Sequence, residues 1–561
     1  MRPPSLFATI FVFLALISAG TAQEFRAMWA DTFHAGLRNS SETTALIAGA
    51  RAANCNAVVV EIRKRGDAYY RNGLEPVATD VAAGFDPLAD LIAKGHDTSG
   101  GNPRIEIHAW FVTYNIWNNQ NTSPSQPTHP YNLHPDWLTE NNLGAKWDGG
   151  NYQFDQGHPA VQEHTYDVMM DVLTRYEVDG IHFDYIRYSD GDSSTNNQPW
   201  GYNPVAVARF KAQTGATTTP APTNAAWLQW RRNQVTGLVR KVYLNAWATK
   251  PSVRVSASLI CYDPAPTLTA SSWLSSAPYS RVLQDWRGWL EEGILDLGCQ
   301  MNYKTSNTSF TNWTSFIRER QYTRASAIGM GWYLNSISNT ITQIGIARQA
   351  SVGGLKAVGV LGYSYAVPNN AGTSQSSTWS QLVAGPFATP ATTPPMPWKT
   401  NTTKGHLMGY LTDSITGAAL DGAAASITGA VNRTMTADAT GFFGSVDLPV
   451  GSYTLNINLP GYRPITTTVN VTGAQVAQPS IVVERLPFVI TNSIRNPVAN
   501  TLTVTWNSLP GKTYRVERSQ NLTDWLSVIS SLPSGGGSTT YVWQYPAGWN
   551  GQAFVRAVEE N

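Results

Sequence analysis

Eight short apolar segments of strand length alternate with helix-like segments over roughly the first two thirds of this chain. They lie at residues 25–31, 58–70, 105–115, 179–189, 253–263, 295–303, 326–333 and 357–366. Strands separated by helices run parallel, because each helix returns the chain to the start of the next strand. Eight such units predict an α/β fold, a (β/α)₈ TIM barrel with enlarged loops after its strands.

The fourth segment, DGIHFDYIRYS at residues 179–189, has the most informative pattern. Ile181 and Phe183 share one face of the strand, and His182 and Asp184 share the other. In a barrel the apolar face packs under the helices, so we expect the polar pair to point inward, with Asp184 at the carboxyl end where such barrels keep their chemistry. The structural alternative is a buried ion pair between Asp184 and Arg187.

The same parity argument applies to the neighbouring strands. In the second strand it directs Glu61 and Arg63 into the barrel near its carboxyl end, and the fifth strand ends on Asp263. It also directs inward Glu106, His108 and Trp110 of the third strand, and Asp296, Gln300 and Asn302 of the sixth.

The amino-acid composition limits the classes of molecule that this protein is expected to bind. Charged residues make up 14% of the chain, the formal net charge is +1, and no basic block occurs, which argues against nucleic acid and anionic membrane surfaces. Twenty Trp and 24 Tyr favour a polysaccharide partner, because flat amphipathic rings stack on sugars. No metal-ligand spacing or phosphate-binding glycine loop is present, so we expect no cofactor and no metal, and nothing indicates the oligomeric state.

The first 22 residues have the pattern of a signal peptide: Arg2, an apolar run at 6–17, and small residues before a cleavage site after Ala22. The run is short for a membrane span, so we expect an exported protein that is periplasmic, cell-surface or secreted. Cys55, Cys261 and Cys299 are predicted to be buried thiols, with a pair between Cys261 and Cys299 left open.

Changes in composition divide the rest of the chain. We predict the barrel at 24–388, a Pro/Thr-rich linker at 389–404, and two small β-sandwiches at 405–485 and 486–561. The two sandwiches gather no ionisable cluster, so we interpret them as spacers or weak adhesion modules.

The runs VVVEIRKRGDAYY, HAWF, FDQGHPAV, VDGIHFDYIRYS and QDWRGWLEEGILDLGCQMNY together resemble the glycosyl hydrolase-like family ten of bacterial exported proteins. The resemblance covers most of residues 25–366. It implies a (β/α)₈ glycosidase acting on cell-envelope glycan, in particular on peptidoglycan strands without stem peptides. Residues 405–484 look like a carboxypeptidase-regulatory-like module, and the last segment is similar to fibronectin type III. The related chitinase pattern is broken at His182 and Ile186, so the chitinase mechanism does not carry over intact.

Glycoside hydrolysis needs an acid and usually a second carboxyl. Asp184 is the first candidate, Glu61 is either its partner or part of a structural ion pair, and Asp263 is the third. Alternatively, an N-acetyl arm of the substrate replaces the second carboxyl and is held by Asn302 and Tyr303. The complete set of predicted substrate contacts is Arg63, His108, Trp110, Asn115, His182, Arg187, Tyr188, Asn302, Tyr303, Trp332 and Tyr365.

Two rival functions remain. One is a non-catalytic glycan-binding or adhesion protein on a barrel scaffold, which the inward placement of Glu61 and Asp184 opposes. The other is an esterase or deacetylase, for which the sequence offers no convincing nucleophile with a paired His and no metal-ligand set.

Overall fold

The computed structural model describes residues 22–190, 198–546 and 552–560. The predicted signal peptide lies, except for Ala22, outside the described residues. The chain begins its regular structure with a two-residue strand, Ala22–Gln23, which pairs with Ala391–Thr392 after the barrel.

Eight parallel strands close into a barrel in sequence order, which confirms the predicted (β/α)₈ architecture. The strands are β1 (Phe25–Ala30), β2 (Ala57–Arg63), β3 (Glu106–Val112), β4 (Gly180–Asp184), β5 (Arg254–Leu259), β6 (Leu297–Asn302), β7 (Ala325–Gly331) and β8 (Gly359–Tyr363). The main helix after each strand is α1 (Ser40–Ala52), α2 (Pro87–His96), α3 (Pro159–Arg175), α4 (Ala225–Thr249), α5 (Trp286–Glu292), α6 (Asn307–Glu319), α7 (Ile337–Arg348) and α8 (Gln375–Ala384).

Local sequence signals start these helices. Asp86 caps α2 by accepting the N–H of Ala89, and Pro87 occupies the first turn, as the sequence predicts. α3 likewise begins on Pro159. The loops between the strands carry short helical segments at Ser99–Gly101, Pro130–Leu133, Pro135–Trp137, Pro204–Thr214, Ala270–Leu274, Ala277–Ser280 and Trp332–Leu334, and a small hairpin of Asn115–Trp117 with Tyr152–Gln153.

The strands separate two apolar layers. Ile181 and Phe183 belong to the large core between strands and helices, as do Val58 and Val60. The barrel interior is a smaller cluster that includes Phe25, Ala27, Trp29, Val59, Trp110, Val112, Leu297, Cys299 and Leu361. This alternation follows from the two-residue period of a strand, and it leaves the polar side chains at the strand ends to form the barrel mouth.

Two sets of β-sheets follow the barrel and the short helix Pro397–Thr400, and their strands pair antiparallel except Lys404–Tyr410 with Val476–Ala477, which pair parallel. The first set joins Lys404–Tyr410, Phe442–Pro449 and Val476–Ala477 in one sheet, and Ala424–Thr428, Arg433–Thr436, Gly451–Ile457 and Ile465–Val471 in another. The second set has a sheet of Ile490–Asn496, Thr501–Asn507 and Ser538–Gln544, and a sheet of Thr513–Ser519, Leu526–Pro533 and Phe554–Glu560. The fibronectin type III assignment and the domain boundaries stay predictions.

The first β-module packs on the outside of the barrel. Arg209 pairs with Asp421 at 2.7 Å, and Arg324 with Asp447 at 3.0 Å. Phe442 joins the apolar core of the barrel. The module is therefore anchored to the barrel by both ion pairs and apolar contacts.

All three cysteines are free and buried, and burial raises the pKa of the Cys55 thiol to about 12. Within the described part of the chain, none of the helices combines the length and apolar character needed to cross a bilayer. Residues 22–190, 198–546 and 552–560 also hold no group of three His, Cys, Asp or Glu placed to bind a metal ion.

Candidate active site

A cavity of about 220 Å³ opens at the carboxyl end of the barrel strands. We call it the barrel-mouth cavity. Its lining consists of Trp29, Phe33, Glu61, Lys64, Arg65, Trp110, Val112, Asn115, Asn151, Asp184, Tyr185, Arg187, Ser258, Met301, Tyr303 and Tyr363. Both inward carboxyls expected from the strand pattern, Glu61 and Asp184, are therefore on its wall.

Asp184 is the last residue of β4 and is 5% exposed. Its Oδ1 accepts the backbone N–H of Tyr185 at 2.7 Å and lies 3.6 Å from Nη1 of Arg187. The indole N–H of Trp110 lies near the same carboxyl without a well-formed hydrogen bond. Burial outweighs these stabilising neighbours and raises the pKa of Asp184. Oδ2 makes no hydrogen bond to another described residue, so it is available to a substrate.

The turn after Asp184 is unusual. Tyr185 has φ of 48°, in the left-handed region that residues other than glycine rarely occupy. This conformation brings the Tyr185 ring onto the cavity wall, where the guanidinium of Arg187 stacks on it at 4.1 Å. Strained backbone of this kind is concentrated at functional sites.

Glu61 is 1% exposed and is fixed by one neighbour, Thr32. Its Oε2 accepts both the backbone N–H at 2.7 Å and the hydroxyl at 2.5 Å of Thr32, which leaves Oε1 without a hydrogen-bond partner among the described residues. Burial is the largest influence and, together with the negative charge of Asp31, raises the pKa of Glu61 from 4.5 to about 7. Glu61 can therefore hold or release a proton near neutral pH.

This shift predicts that Glu61→Gln stabilises the protein at alkaline pH. Because the folded state holds the proton more tightly than the unfolded chain, the Glu61 contribution to stability is full below pH 4.5 and is lost as pH rises to about 7. The shift corresponds to about 3 kcal/mol. We expect a higher melting temperature for the variant at pH 8 and a similar one at pH 4.5, measured by calorimetry.

The matched control for that measurement is Glu42→Gln. The guanidinium of Arg38 and the backbone N–H groups of Gly36 and Arg38 lower the pKa of Glu42, so its charge is stabilising and the variant should melt lower at pH 8. Equal melting curves for Glu61→Gln and the parent at pH 8 would mean that Glu61 is not destabilised by its burial.

His182 lies in the layer beneath the cavity and is fully buried. Its Nε2 accepts the indole N–H of Trp29 at 3.2 Å, so its proton is on Nδ1, which donates to Ser256 Oγ at 2.8 Å. Burial lowers the pKa of His182 to about 3, so the ring is neutral. His182 therefore holds Trp29 and Ser258, which bonds Nε2 at 2.9 Å, on the cavity floor and does not itself line the cavity.

Aromatic rings form much of the wall. Tyr303 and Tyr363 stack with ring centroids 5.5 Å apart, and Trp29 meets each of them edge to face. Trp110 contacts Tyr363 in the same way. A cavity with aromatic walls and two carboxyls matches what a sugar ring requires, an apolar face to stack on and polar groups to orient its hydroxyls.

Six of the predicted site residues line the cavity: Glu61, Trp110, Asn115, Asp184, Arg187 and Tyr303. Arg63 does not, which corrects its predicted inward orientation. A bulge at Ile62 puts Arg63 opposite Phe111, which faces the helices, whereas Glu61 is opposite the inward Trp110. Arg63 instead pairs with buried Glu75 at 2.6 Å.

The predicted orientation of β6 is wrong. Leu297 and Cys299 fill the barrel interior, so the polar residues of this strand face outward. Gln300 donates to the carbonyl of Trp313, and Asn302 to that of Phe310, both at 2.9 Å on α6. The amides are directed outward because they satisfy helix carbonyls, and Asn302 is not available to a substrate at the mouth.

The remaining predicted residues lie elsewhere. His108 is near the amino end of the barrel, where it bonds Glu106 at 3.0 Å. Asp263 accepts from the Trp313 indole and pairs with Lys304, each at 3.0 Å, outside the cavity. Three further predicted residues pack outward and do not line the cavity. Trp332 and Tyr365 contact Trp379 of α8, and Tyr188 packs against Gly201 and Arg231.

Ten residues that line the cavity were not predicted from the sequence: Trp29, Phe33, Lys64, Arg65, Val112, Asn151, Tyr185, Ser258, Met301 and Tyr363. Trp29 shares the inward parity of Phe25 and Ala27, so the strand pattern contained a signal for it. Tyr185 had none, because an outward position is expected one residue after Asp184. Lys64 and Arg65 follow the end of β2 at Arg63, in a loop where strand parity does not predict the orientation of a side chain.

The fold and this site define a class: a glycosidase-like (β/α)₈ protein with two buried carboxyls in an aromatic cavity. The profile of the glycosyl hydrolase-like 10 family matches residues 24–341, and the chain belongs to this family. Residues 406–484 match the carboxypeptidase regulatory-like domain.

Named relatives are distant. Glycosyl hydrolase DigH of Escherichia coli K12 is 26% identical over 260 residues, which cover 43% of this chain and 53% of DigH. Glycosyl hydrolase YngK of Bacillus subtilis is 26% identical over 251 residues, covering 43% of this chain and 44% of YngK. The chain thus spans about half the length of these relatives. Among solved structures, the PgaB (BpsB) glycoside hydrolase domain of Bordetella bronchiseptica aligns with 64% of this chain and 98% of its own at 12% identity, with a TM-score of 0.45.

Proposed function

We propose that this protein is an exported glycoside hydrolase that cleaves cell-envelope polysaccharide, and that its substrate is peptidoglycan glycan lacking stem peptides. The observation that carries the proposal is the pair Glu61 and Asp184. Each carboxyl has one oxygen that accepts a backbone N–H and one oxygen without a hydrogen bond from the described residues, and both carboxyls line one cavity. A scaffold that only binds glycan has no need of two buried carboxyls with raised pKa values.

In this proposal Asp184 is the general acid. Burial raises the pKa of Asp184, which favours its protonated form, and the N–H of Tyr185 and the guanidinium of Arg187 stabilise the carboxylate once the proton has passed to the leaving oxygen. Glu61, with its pKa near 7, supplies the second carboxyl after losing its proton. The two groups then have the acid and base or nucleophile roles that glycoside hydrolysis requires.

The two-carboxyl scheme is better supported than substrate assistance by an N-acetyl arm. The second scheme uses Asn302 and Tyr303 to hold the acetamide, and Asn302 is bonded to α6 outside the cavity. Glu61 lines the cavity and supplies a second carboxyl, so an N-acetyl arm is not required in its place.

The choice of substrate rests on the family resemblance and on the cavity walls. Stacked tyrosines and indoles suit sugar faces, and the small volume suits an unbranched strand better than one carrying peptides. Export through the predicted signal peptide would place the protein with this polymer.

The proposal predicts new reducing ends when the full-length protein is incubated with peptidoglycan glycan freed of stem peptides, and markedly fewer with intact peptidoglycan. Chitin is the neutral comparison, and mass spectrometry identifies the products. Cleavage of chitin alone would overturn the substrate, and the absence of new reducing ends on every glycan would favour the non-catalytic binding protein.

A further inference from the structure

Three cations, Lys64, Arg65 and Arg187, line the barrel-mouth cavity together with its two carboxyls. Lys64 and Arg65 form no ion pair with another described residue. The ammonium of Lys64 reaches only the carbonyl of Thr32 at 3.4 Å and the hydroxyl of Tyr69 at 3.5 Å. These long contacts leave most of its hydrogen-bonding capacity unused.

Arg65 is more confined. Burial lowers the pKa of its guanidinium, and the carboxyls that oppose this effect, Glu61 and Asp67, do not reach ion-pair distance. Asp67 is occupied by the backbone N–H of Arg65 at 3.0 Å. A partly buried guanidinium without a carboxylate partner is available to form a charge-assisted pair with the carboxylate of a ligand.

Phe33 holds these two cations at the rim. The Lys64 ammonium lies 5.2 Å and the Arg65 guanidinium 4.8 Å from the centre of its ring, and Phe33 itself is 54% exposed. Cation–π contact with one ring keeps both charges beside the cavity. Both cations therefore lie beside the cavity in the absence of a ligand.

Arg187 completes the set. Its side chain is 11% exposed, and its buried Nη1 has no hydrogen-bond partner in the described part of the chain. Asp184 Oδ1 lies 3.6 Å from this nitrogen. With three cations and two carboxyls, the cavity carries a net positive charge even with both carboxyls ionised. Binding of an uncharged sugar strand does not require this net positive charge.

We propose that Lys64, Arg65 and Arg187 form a subsite for a carboxylate carried by a sugar ring bound at the barrel mouth. The carboxylate is that of a lactyl ether or of a uronic acid, and the guanidinium of Arg65 offers it a planar pair of donors. The subsite rests on the proposed binding of glycan in this cavity and does not depend on hydrolysis.

Binding by calorimetry to the full-length protein carrying Asp184→Asn, which slows turnover, tests the subsite. The probes are a glycan tetrasaccharide with free lactyl carboxylates, the same tetrasaccharide with these groups converted to methylamides, a tetragalacturonate and chitotetraose. We expect the carboxylate form to bind about 10-fold more tightly than its methylamide. Adding Lys64→Ala and Arg65→Ala should remove this preference and change chitotetraose binding less than 2-fold.

Lys356→Ala is the matched control, because Lys356 is exposed and lies close before β8, at the opposite end of the barrel. A preference for tetragalacturonate over the lactyl probe would support the subsite and identify the uronate as its ligand. Equal affinity for the carboxylate and methylamide forms, or the same loss with Lys356→Ala, would overturn it. Cleavage without charge preference refutes only the subsite, and charge-dependent binding without cleavage by the parent refutes only the hydrolase.

Discussion

Replacing Asp184 by Asn is expected to lower the rate of glycan cleavage by about 10³-fold. The amide has the shape of the carboxyl and can still accept the N–H of Tyr185 through its oxygen, but it has no proton to give to a leaving group. The measurement is the initial rate of reducing-end formation on glycan lacking stem peptides. Because burial raises the pKa of Asp184, the neutral side chain should not destabilise the fold, and the variant should melt no lower than the parent at pH 7.

Asp263→Asn is the matched control for this variant. Asp263 was also a sequence candidate, but its carboxylate bonds the Trp313 indole and pairs with Lys304 away from the cavity. We expect its cleavage rate to stay within about 3-fold of the parent, as for a residue outside the reacting groups. A folded Asp184→Asn protein that cleaves as fast as the parent would show that Asp184 is not the general acid.

Strand periodicity predicted much of this site correctly. In β4 it directs Ile181 and Phe183 outward and Asp184 inward, and in β3 it directs Trp110 inward, as the structure has them. These strands have one apolar and one polar face, and their ends carry the site. The strand pattern therefore predicted that both carboxyls point into the barrel, and both line the same cavity.

The same rule failed where a strand is irregular or its polar face is satisfied by a helix. One extra residue at the bulge in β2 reverses the orientation of Arg63, and no pattern of polarity in that segment reveals it. In β6 the amides of Gln300 and Asn302 turn outward to bond α6 carbonyls. A polar side chain in a strand needs a hydrogen-bond partner, but the residue type alone does not predict whether that partner lies inside the barrel or on the surrounding helices.

Loop residues were the least predictable part of the site. Tyr185 follows β4 in a left-handed backbone conformation, and Arg65 lies in the loop beyond the end of β2, where strand parity no longer applies. The sequence pattern therefore does not predict that Lys64, Arg65 and Arg187 line one cavity. The sequence predicted Arg63 as a substrate contact, but the structure buries Arg63 in an ion pair with Glu75, and Arg65 lines the cavity instead.

Glu75→Ala should destabilise the barrel by about 3–5 kcal/mol, because it breaks the buried ion pair between Glu75 and Arg63. Glu75 and Arg63 are 0% and 1% exposed, and Nη2 and Nε of Arg63 donate to the two carboxylate oxygens at 2.6 and 2.7 Å. The Arg63 guanidinium lowers the pKa of Glu75 strongly, and removing the carboxylate leaves a buried cation that also holds the carbonyls of Val112 and Thr113 at the end of β3.

Calorimetry at pH 7 should show the melting temperature of Glu75→Ala lowered by about 10 °C. Glu177→Ala is the control, because Glu177 pairs with Lys250 at 3.1 Å but is 80% exposed, and an exposed pair contributes within about 1 kcal/mol. The pH dependence of stability is opposite to that of Glu61. Because the folded state lowers the pKa of Glu75, its ionised carboxylate stabilises the fold above the unfolded value of 4.5, and this contribution is lost as the pH falls below that value. A Glu75→Ala protein that melts like the parent and binds carboxylate glycan less tightly would return Arg63 to the substrate site.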